Sequence, residues 1–200
     1  MNNAFPMAYF GGRRNILSKN SFGDGMKKSF RIWELFGFAL TSLGGTVLHF
    51  LYEWTGGSVV VAPFSGVNES TWEHMKLLFF PMLIFGVVES LFFRERADFW
   101  WGKLYGILLG LVLIPVLFYT YNGVIGKSPD WVNISIFFIS AALAYIFEVR
   151  LAEGGRLPKG SKRIPQVVLL AIALMFIVFT FAVPRINLFR DPVTGGYGIG

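Results

Sequence analysis

The chain has no cysteine and only two histidines in 200 residues. That excludes disulfides, thiolate metal centres and cysteine nucleophiles, and leaves little imidazole for chemistry. Charge is scarce too: 15% of residues are charged, where soluble domains carry about 25%. No connecting segment is long enough to hold a soluble domain, no internal repeat is visible, and the H-E-x-x-H spacing of helical zinc sites is missing. The net charge of +6 does not point to nucleic acid, because the basic residues gather in short connecting segments, as membrane topology requires.

What the chain has in quantity is apolar surface, with 54% hydrophobic residues and 22 Phe. A membrane-crossing helix needs about 20 mostly apolar residues. Five stretches qualify, at about 32–54, 75–93, 101–121, 131–149 and 167–183. They predict an all-α integral membrane bundle of five transmembrane helices, with the lipid bilayer as its partner. Trp33, Trp54, Trp100, Trp101, Tyr121 and Trp131 stand near the ends of these runs, where amphipathic rings occupy the headgroup layer. Residues 1–31 read as a solvated basic tail rather than a cleaved signal peptide. Residues 32–184 read as the transmembrane domain and 185–200 as a tail on the opposite side. Fourteen of the 18 Lys and Arg fall on the N-terminal side of this topology, which places the N-terminus in the cytoplasm and the C-terminus outside.

Three features predict how the helices pack. Gly102, Gly106 and Gly110 recur every fourth residue, leaving a groove for another helix and a route to a homo-oligomer or a partner helix. Pro81 and Pro115 lie inside spans, where each frees a backbone carbonyl that a neighbour must meet. Glu34, Glu89 and Glu148 stand near the cytoplasmic ends, where Arg31, Arg94 or Lys103, and Arg150 predict boundary ion pairs.

The opposite end of the first two spans carries the chemistry. Both histidines and three of the 12 acidic residues fall in two short stretches, His49 to Trp54 and Phe64 to His74. His49 and Glu53 share a helix face, and His49 lies about 7.5 Å below Trp54 at 1.5 Å per residue. Consecutive antiparallel helices end side by side, so His49, Glu53, Glu69, Glu73 and His74 are expected to converge. Crowded carboxylates require a cation, a shared proton or a basic neighbour such as Lys76. A divalent ion such as zinc, manganese or calcium answers that need, with His49, Glu53 and His74 as ligands and Glu73 and Glu69 as catalytic carboxylates. Donor atoms within about 4 to 5 Å of one another are the geometric requirement.

A plainer reading of the same residues makes Ser70 the cap of the second helix. Glu73 then reaches back to the Ser70 amide, Glu69 favours the positive helix end and Trp72 anchors in the headgroups. That reading leaves His49 and Glu53 unexplained.

The blocks His49-Phe50-x-Tyr52-Glu53-Trp54, Phe64-Ser65-x-Val67-Asn68-Glu69-Ser70-x-Trp72-Glu73-His74-x-Lys76 and Asp191-Pro192-x-Thr194-Gly195-x-Tyr197-Gly198 resemble those of an uncharacterised family of small multi-pass prokaryotic membrane proteins, catalogued as a domain of unknown function. The resemblance covers most of the chain from the first span onward. It implies a multi-pass protein of a bacterial cell membrane, with no activity, cofactor or catalytic residue attached. Three functions are consistent with the residues. One is metal-dependent hydrolysis or transfer on a lipid-like or envelope substrate. The second is transport of a small solute or ion, where the apolar central layer disfavours a monomeric carrier and an oligomer could build a path from Asn, Ser and Tyr side chains. The third is a non-catalytic role as sensor or assembly partner. The Gly-rich segment after Arg190 lies on the same side as the histidines, where it is placed to cover them or to fray.

Overall fold

The computed structural model describes residues 12–94, 96, 98–155, 157–158 and 160–199, with side chains from residue 25 onward. The basic side chains of Arg13, Arg14, Lys19, Arg156 and Lys159, and residues 1–11 of the expected tail, lie outside what is described. The architecture is all-helical: α1 Gly12–Trp54, α2 Thr71–Glu89, α3 Phe99–Val124, α4 Asp130–Gly154, α5 Arg163–Phe181 and a short 3-10 turn at Asn187–Phe189. Five helices are long and apolar enough to cross a membrane, α1 through its segment Gly25–Trp54. Short connections make successive helices antiparallel, so the bundle has a near face, where α1 enters, and a far face, where α1 ends and the C-terminal tail begins.

Local chemistry sets the boundaries. Helix α2 starts at Thr71 because the Ser70 hydroxyl accepts from the Glu73 amide, the ordinary duty of an N-cap serine. Helix α4 ends at Gly155, whose φ of +61° is one glycine adopts without strain. Helix α1 runs back to Gly12, into the segment expected to be a tail.

Helix α2 is the axis of the bundle: 61% of its apolar window is buried, against 17% for α1. Phe79, Phe80, Leu78, Met82 and Phe85 fill the centre with Ile107 and Leu111 of α3, Phe137 and Tyr145 of α4 and Phe176 of α5. Trp72 joins this core rather than the headgroup layer, its ring 4.5 Å from both Phe176 and Phe189.

Glycines allow the closest approaches. A Cβ on Gly106 would stand 3.1 Å from Glu148 Oε2 and 3.3 Å from Ala144 O, and one on Gly110 would stand 3.3 Å from Ala144 Cβ. The glycine stripe of α3 is thus packed from within the chain, by α4 and, at Gly110, also by Leu78 of α2, 3.0 Å from such a Cβ.

Pro81 cannot donate to Leu77 O, and the freed carbonyl faces α1 at Gly45. A Cβ on Gly45 would come within 2.8 Å of that oxygen and 2.4 Å of Phe137 Cζ. Gly45→Ala is therefore expected to cost about 1–3 kcal/mol by overpacking. Equilibrium unfolding in detergent measures this, and unchanged stability would deny the contact.

The near end keeps the expected pair of Glu89 with Lys103 but departs from those expected for Glu34 and Glu148. Lys103 is not a loop cation but lies buried between Glu34, Glu89 and Glu148, with Nζ 3.3, 2.7 and 2.8 Å from their nearest oxygens. Arg31 pairs instead with Glu153, Nη2 to Oε2 2.7 Å. Glycine makes this possible, since the side chain of Glu148 packs against α3 where Gly102 and Gly106 carry no Cβ.

Candidate functional site

Three elements bring the far-face residues together: the end of α1, the connection 55–70 and the first turn of α2. The connection is stitched to α1 around His49. Ser65 Oγ accepts from Tyr52 N at 2.9 Å and donates to Leu48 O, the two groups that an undisturbed helix pairs with one another. A side chain inserted in that ladder opens the helix locally. Gly66 N also donates to Leu48 O at 3.2 Å, and Asn68 Oδ1 accepts from Ser70 N at 2.8 Å. The turn so formed carries Glu69 to the histidines.

His49 Nε2 lies 3.7 Å from Glu69 Oε1, and His74 Nε2 lies 3.6 Å from Glu69 Oε2. The two imidazole centroids are 5.7 Å apart. One donor atom from each of the three residues falls within 4.8 Å of the others. These separations are too long for hydrogen bonds and close to what a shared ion needs.

The tautomer of His74 follows from its partner. Nδ1 is 3.0 Å from Ser70 O; a carbonyl only accepts, so Nδ1 carries the proton and Nε2 presents its lone pair to Glu69. A lone pair and a carboxylate oxygen facing each other both seek positive charge.

The other predicted residues stand elsewhere. Glu73 is buried in an ion pair with Lys76, 2.6 Å from Nζ, and accepts from Val67 N at 3.0 Å. It holds the connection rather than reaching the Ser70 amide, which Asn68 occupies. Lys76 donates further to Ala62 O at 2.9 Å and Thr180 Oγ1 at 3.0 Å. Its three protons are spent on structure and none is left to neutralise Glu69. Glu53 is exposed and falls outside the group of convergent donors. The cap reading is thus right for Ser70 and wrong for the Glu73 carboxylate, while His49, Glu69 and His74 do converge.

The three residues line one wall of a cavity of about 550 Å³. Gly45, Thr46 and Phe50 of α1 continue that wall, and Ile134, Phe137 and Phe138 of α4 make the apolar floor. Polar residues of the α3–α4 junction line the same cavity: Asn122, Lys127, Ser128, Asp130 and Asn133. Asn122 Oδ1 accepts from Ser128 N at 2.9 Å, and Ser128 and Asn133 are joined at 2.8 Å. Sequence reasoning passed over this polar lining. Its signal was three short polar side chains clustered where the third and fourth spans meet.

The C-terminal tail is fixed across the site. Phe189 packs on Trp72, and Asp191 caps its own turn through Val193 N at 2.8 Å and Thr194 Oγ1 at 2.7 Å. Gly198 O accepts from Asn68 Nδ2 at 3.0 Å, and Pro192 and Val193 close the cavity.

Residues 25–199 match the model of a family described as a family of unknown function (DUF6512), and the chain belongs to it. No curated protein and no solved structure matches the chain.

Proposed function

A family without an assigned activity supplies no chemistry, and from the residues themselves we propose a membrane-embedded, divalent-metal-dependent hydrolase or transferase. His49, His74 and Glu69 hold the ion. The observation that carries this reading is their convergence on a cavity, with one imidazole lone pair aimed at a carboxylate and no lysine or arginine paired with it among the described residues. A set of two imidazoles and one carboxylate suits zinc or manganese better than calcium. At about 2.0–2.2 Å per bond, small side-chain rotations close the 4.8 Å set around one ion. Three protein ligands leave a position for water, which a bound zinc ion acidifies to a pKa of about 7. Glu69 would bind such an ion through one oxygen, and its other oxygen would be the base available to take the proton of that water. Glu73 and Glu53 have no chemical part in this reading, the first because Lys76 holds it and the second because it points away from the group.

The excess of basic residues on the near side supports a cytoplasmic N-terminus and an outward-facing site. The family resemblance supports a prokaryotic cell membrane. A cavity with both apolar and polar lining at headgroup depth suits a lipid-like or envelope-derived substrate.

Metal titration of chelator-stripped protein, followed by elemental analysis, tests the reading. Wild type is expected to take up one equivalent of zinc or manganese. His49→Ala and His74→Ala are each expected to weaken uptake by at least about 100-fold, since disturbing even the outer shell of a metal site costs about 10–100-fold. Glu53→Ala should leave uptake unchanged. Wild type without a stoichiometric ion, or full uptake in the His49→Ala and His74→Ala double variant, would defeat the reading.

A further inference from the structure

The buried cluster at the near end is independent of the metal reading. Lys103 is 0% exposed, as is Glu89, with Glu148 at 1% and Glu34 at 2%. The ammonium has three protons; it donates a hydrogen bond to Glu34 Oε1 and lies within ion-pair distance of Glu89 Oε2 and Glu148 Oε1. Glu34 Oε2 and both carboxylate oxygens of Glu89 and of Glu148 are buried with no hydrogen-bond partner among the described residues. Three carboxylates around one lysine leave two negative charges without compensation. The surroundings do not supply it: the rings of Phe85, Phe99 and Tyr145 stand 5.5 to 5.6 Å from the ammonium.

Among the described residues no Lys or Arg other than Lys103 pairs with the three carboxylates, and the form of the compensating charge follows from the geometry. Oxygens of the three glutamates lie within 4.8 Å of one another, but the ammonium already sits among them. A metal ion at the same place would be held against a like charge at short range. Protons meet the same need without that repulsion, because carboxylates that share a site share protons.

We propose that Glu34, Glu89 and Glu148 form a proton-binding site around Lys103, which at neutral pH holds two protons taken from water on the near side. The protons sit on the oxygens that otherwise lack partners. Water is near: Glu34 lies one turn of α1, about 4.5 Å along the axis, from Arg31, which is exposed and paired with Glu153. Helix α1 supplies Glu34, α2 Glu89, α3 Lys103 and α4 Glu148 with Tyr145, whose hydroxyl is bonded to Thr41 at 2.7 Å. In the α2–α3 connection Arg96 and Asp98 pair with each other at 3.2 Å. In the α4–α5 connection Lys162 donates to Arg94 O at 2.8 Å. The titratable residue of α5, Arg163, is exposed at the helix start.

Each of the four helices contributes one member, so proton occupancy and helix packing are linked. With the protons removed, the carboxylates of α1, α2 and α4 repel one another inside an apolar shell, and the near end is driven apart. The cluster is therefore a proton-linked latch on the near face, opened by alkaline conditions.

Infrared spectroscopy of the full chain in lipid vesicles, in H2O and D2O, tests this. Wild type at neutral pH is expected to show a D2O-sensitive carboxylic-acid carbonyl stretch. The band should fall by about half in Glu89→Gln, because two carboxylates and one ammonium retain a single proton. It should vanish in the Glu89→Gln and Glu148→Gln double variant, and His49→Ala should leave it intact. Absence of the band in wild type, or its persistence in the double variant, overturns the proposal. Melting provides a second readout. Glutamine mimics the protonated acid, so Glu89→Gln should melt at or above wild type; a fall as large as that of Lys103→Met would show that all three carboxylates serve as anions. Metal uptake at the far face is expected to be unchanged in these variants, so the two readings fail separately.

Discussion

Lys103→Met is expected to destabilise the protein by about 3–5 kcal/mol, the range for removing one partner from a buried ion pair. Methionine keeps most of the volume, so the loss reports charge and hydrogen bonding rather than a cavity. The wild-type ammonium meets three carboxylates at 2.7, 2.8 and 3.3 Å, and without it those groups face one another across apolar packing. Equilibrium unfolding in mixed detergent micelles reads the difference. Adding Glu89→Gln to the Lys103→Met chain should restore part of the loss, because it removes one of the stranded carboxylates. That non-additivity is the signature of groups in direct contact. A loss below about 1 kcal/mol, the scale of an exposed pair, would mean that the ammonium does not hold the four helices together.

The second large effect is expected at the far end. Lys76→Met should also cost about 3–5 kcal/mol, and it should disturb the metal-ligand group without touching any member of it. Lys76 is 0% exposed and ties three segments: Glu73 at 2.6 Å, Ala62 O of the connection at 2.9 Å and Thr180 of α5 at 3.0 Å. Glu73 in turn holds Val67 N, one residue before Asn68 and two before Glu69. With Lys76 gone, Glu73 is left as a buried unpaired carboxylate and the turn that presents Glu69 loses its anchor. Zinc uptake should weaken along with stability. Glu73→Gln in the Lys76→Met chain should recover stability, because both charges are then absent. Weakened stability with unchanged uptake would show that the connection keeps its shape without Lys76.

These two lysines mark where sequence reading ended. Each was visible as a basic residue close to a span end, was counted towards topology and was named as a neighbour of carboxylates, Lys76 for the far group and Lys103 for Glu89. Neither is a loop cation. The carboxylates around Lys103 come from positions 34, 89 and 148, far apart in the chain, and local periodicity carries no information about their meeting. One indirect signal existed: the three glutamates lie near the same-side ends of the first, second and fourth spans, with one lysine at that end of the third. The glycine stripe was read correctly as a close-approach surface. Its occupant was not identifiable, because small residues admit a helix of the same chain as readily as one of another.

At the far face the sequence went further. His49 sits too deep below Trp54 for a merely solvated residue, and the Ser70 cap placed the first turn of α2. Consecutive helices then brought Glu69 and His74 towards His49. Glu53 was included because it shares a helix face with His49, but a single turn of α1 separates the cavity side from the exposed side, and Glu53 lies beyond it. The polar lining of Asn122, Ser128 and Asn133, and the strap formed by residues 187–198, depend on contacts between ends of the chain that no spacing rule connects.

Hydrophobic runs of span length, the rim aromatics and the lopsided basic residues sufficed for five helices, because the cost of burying polar backbone in lipid acts on every segment separately. Which carboxylate stays free for chemistry and which is consumed by a lysine is a different kind of question. It was answered only when α2 packed between its neighbours, since a buried charge takes its role from whatever partner the tertiary fold delivers within about 3 Å.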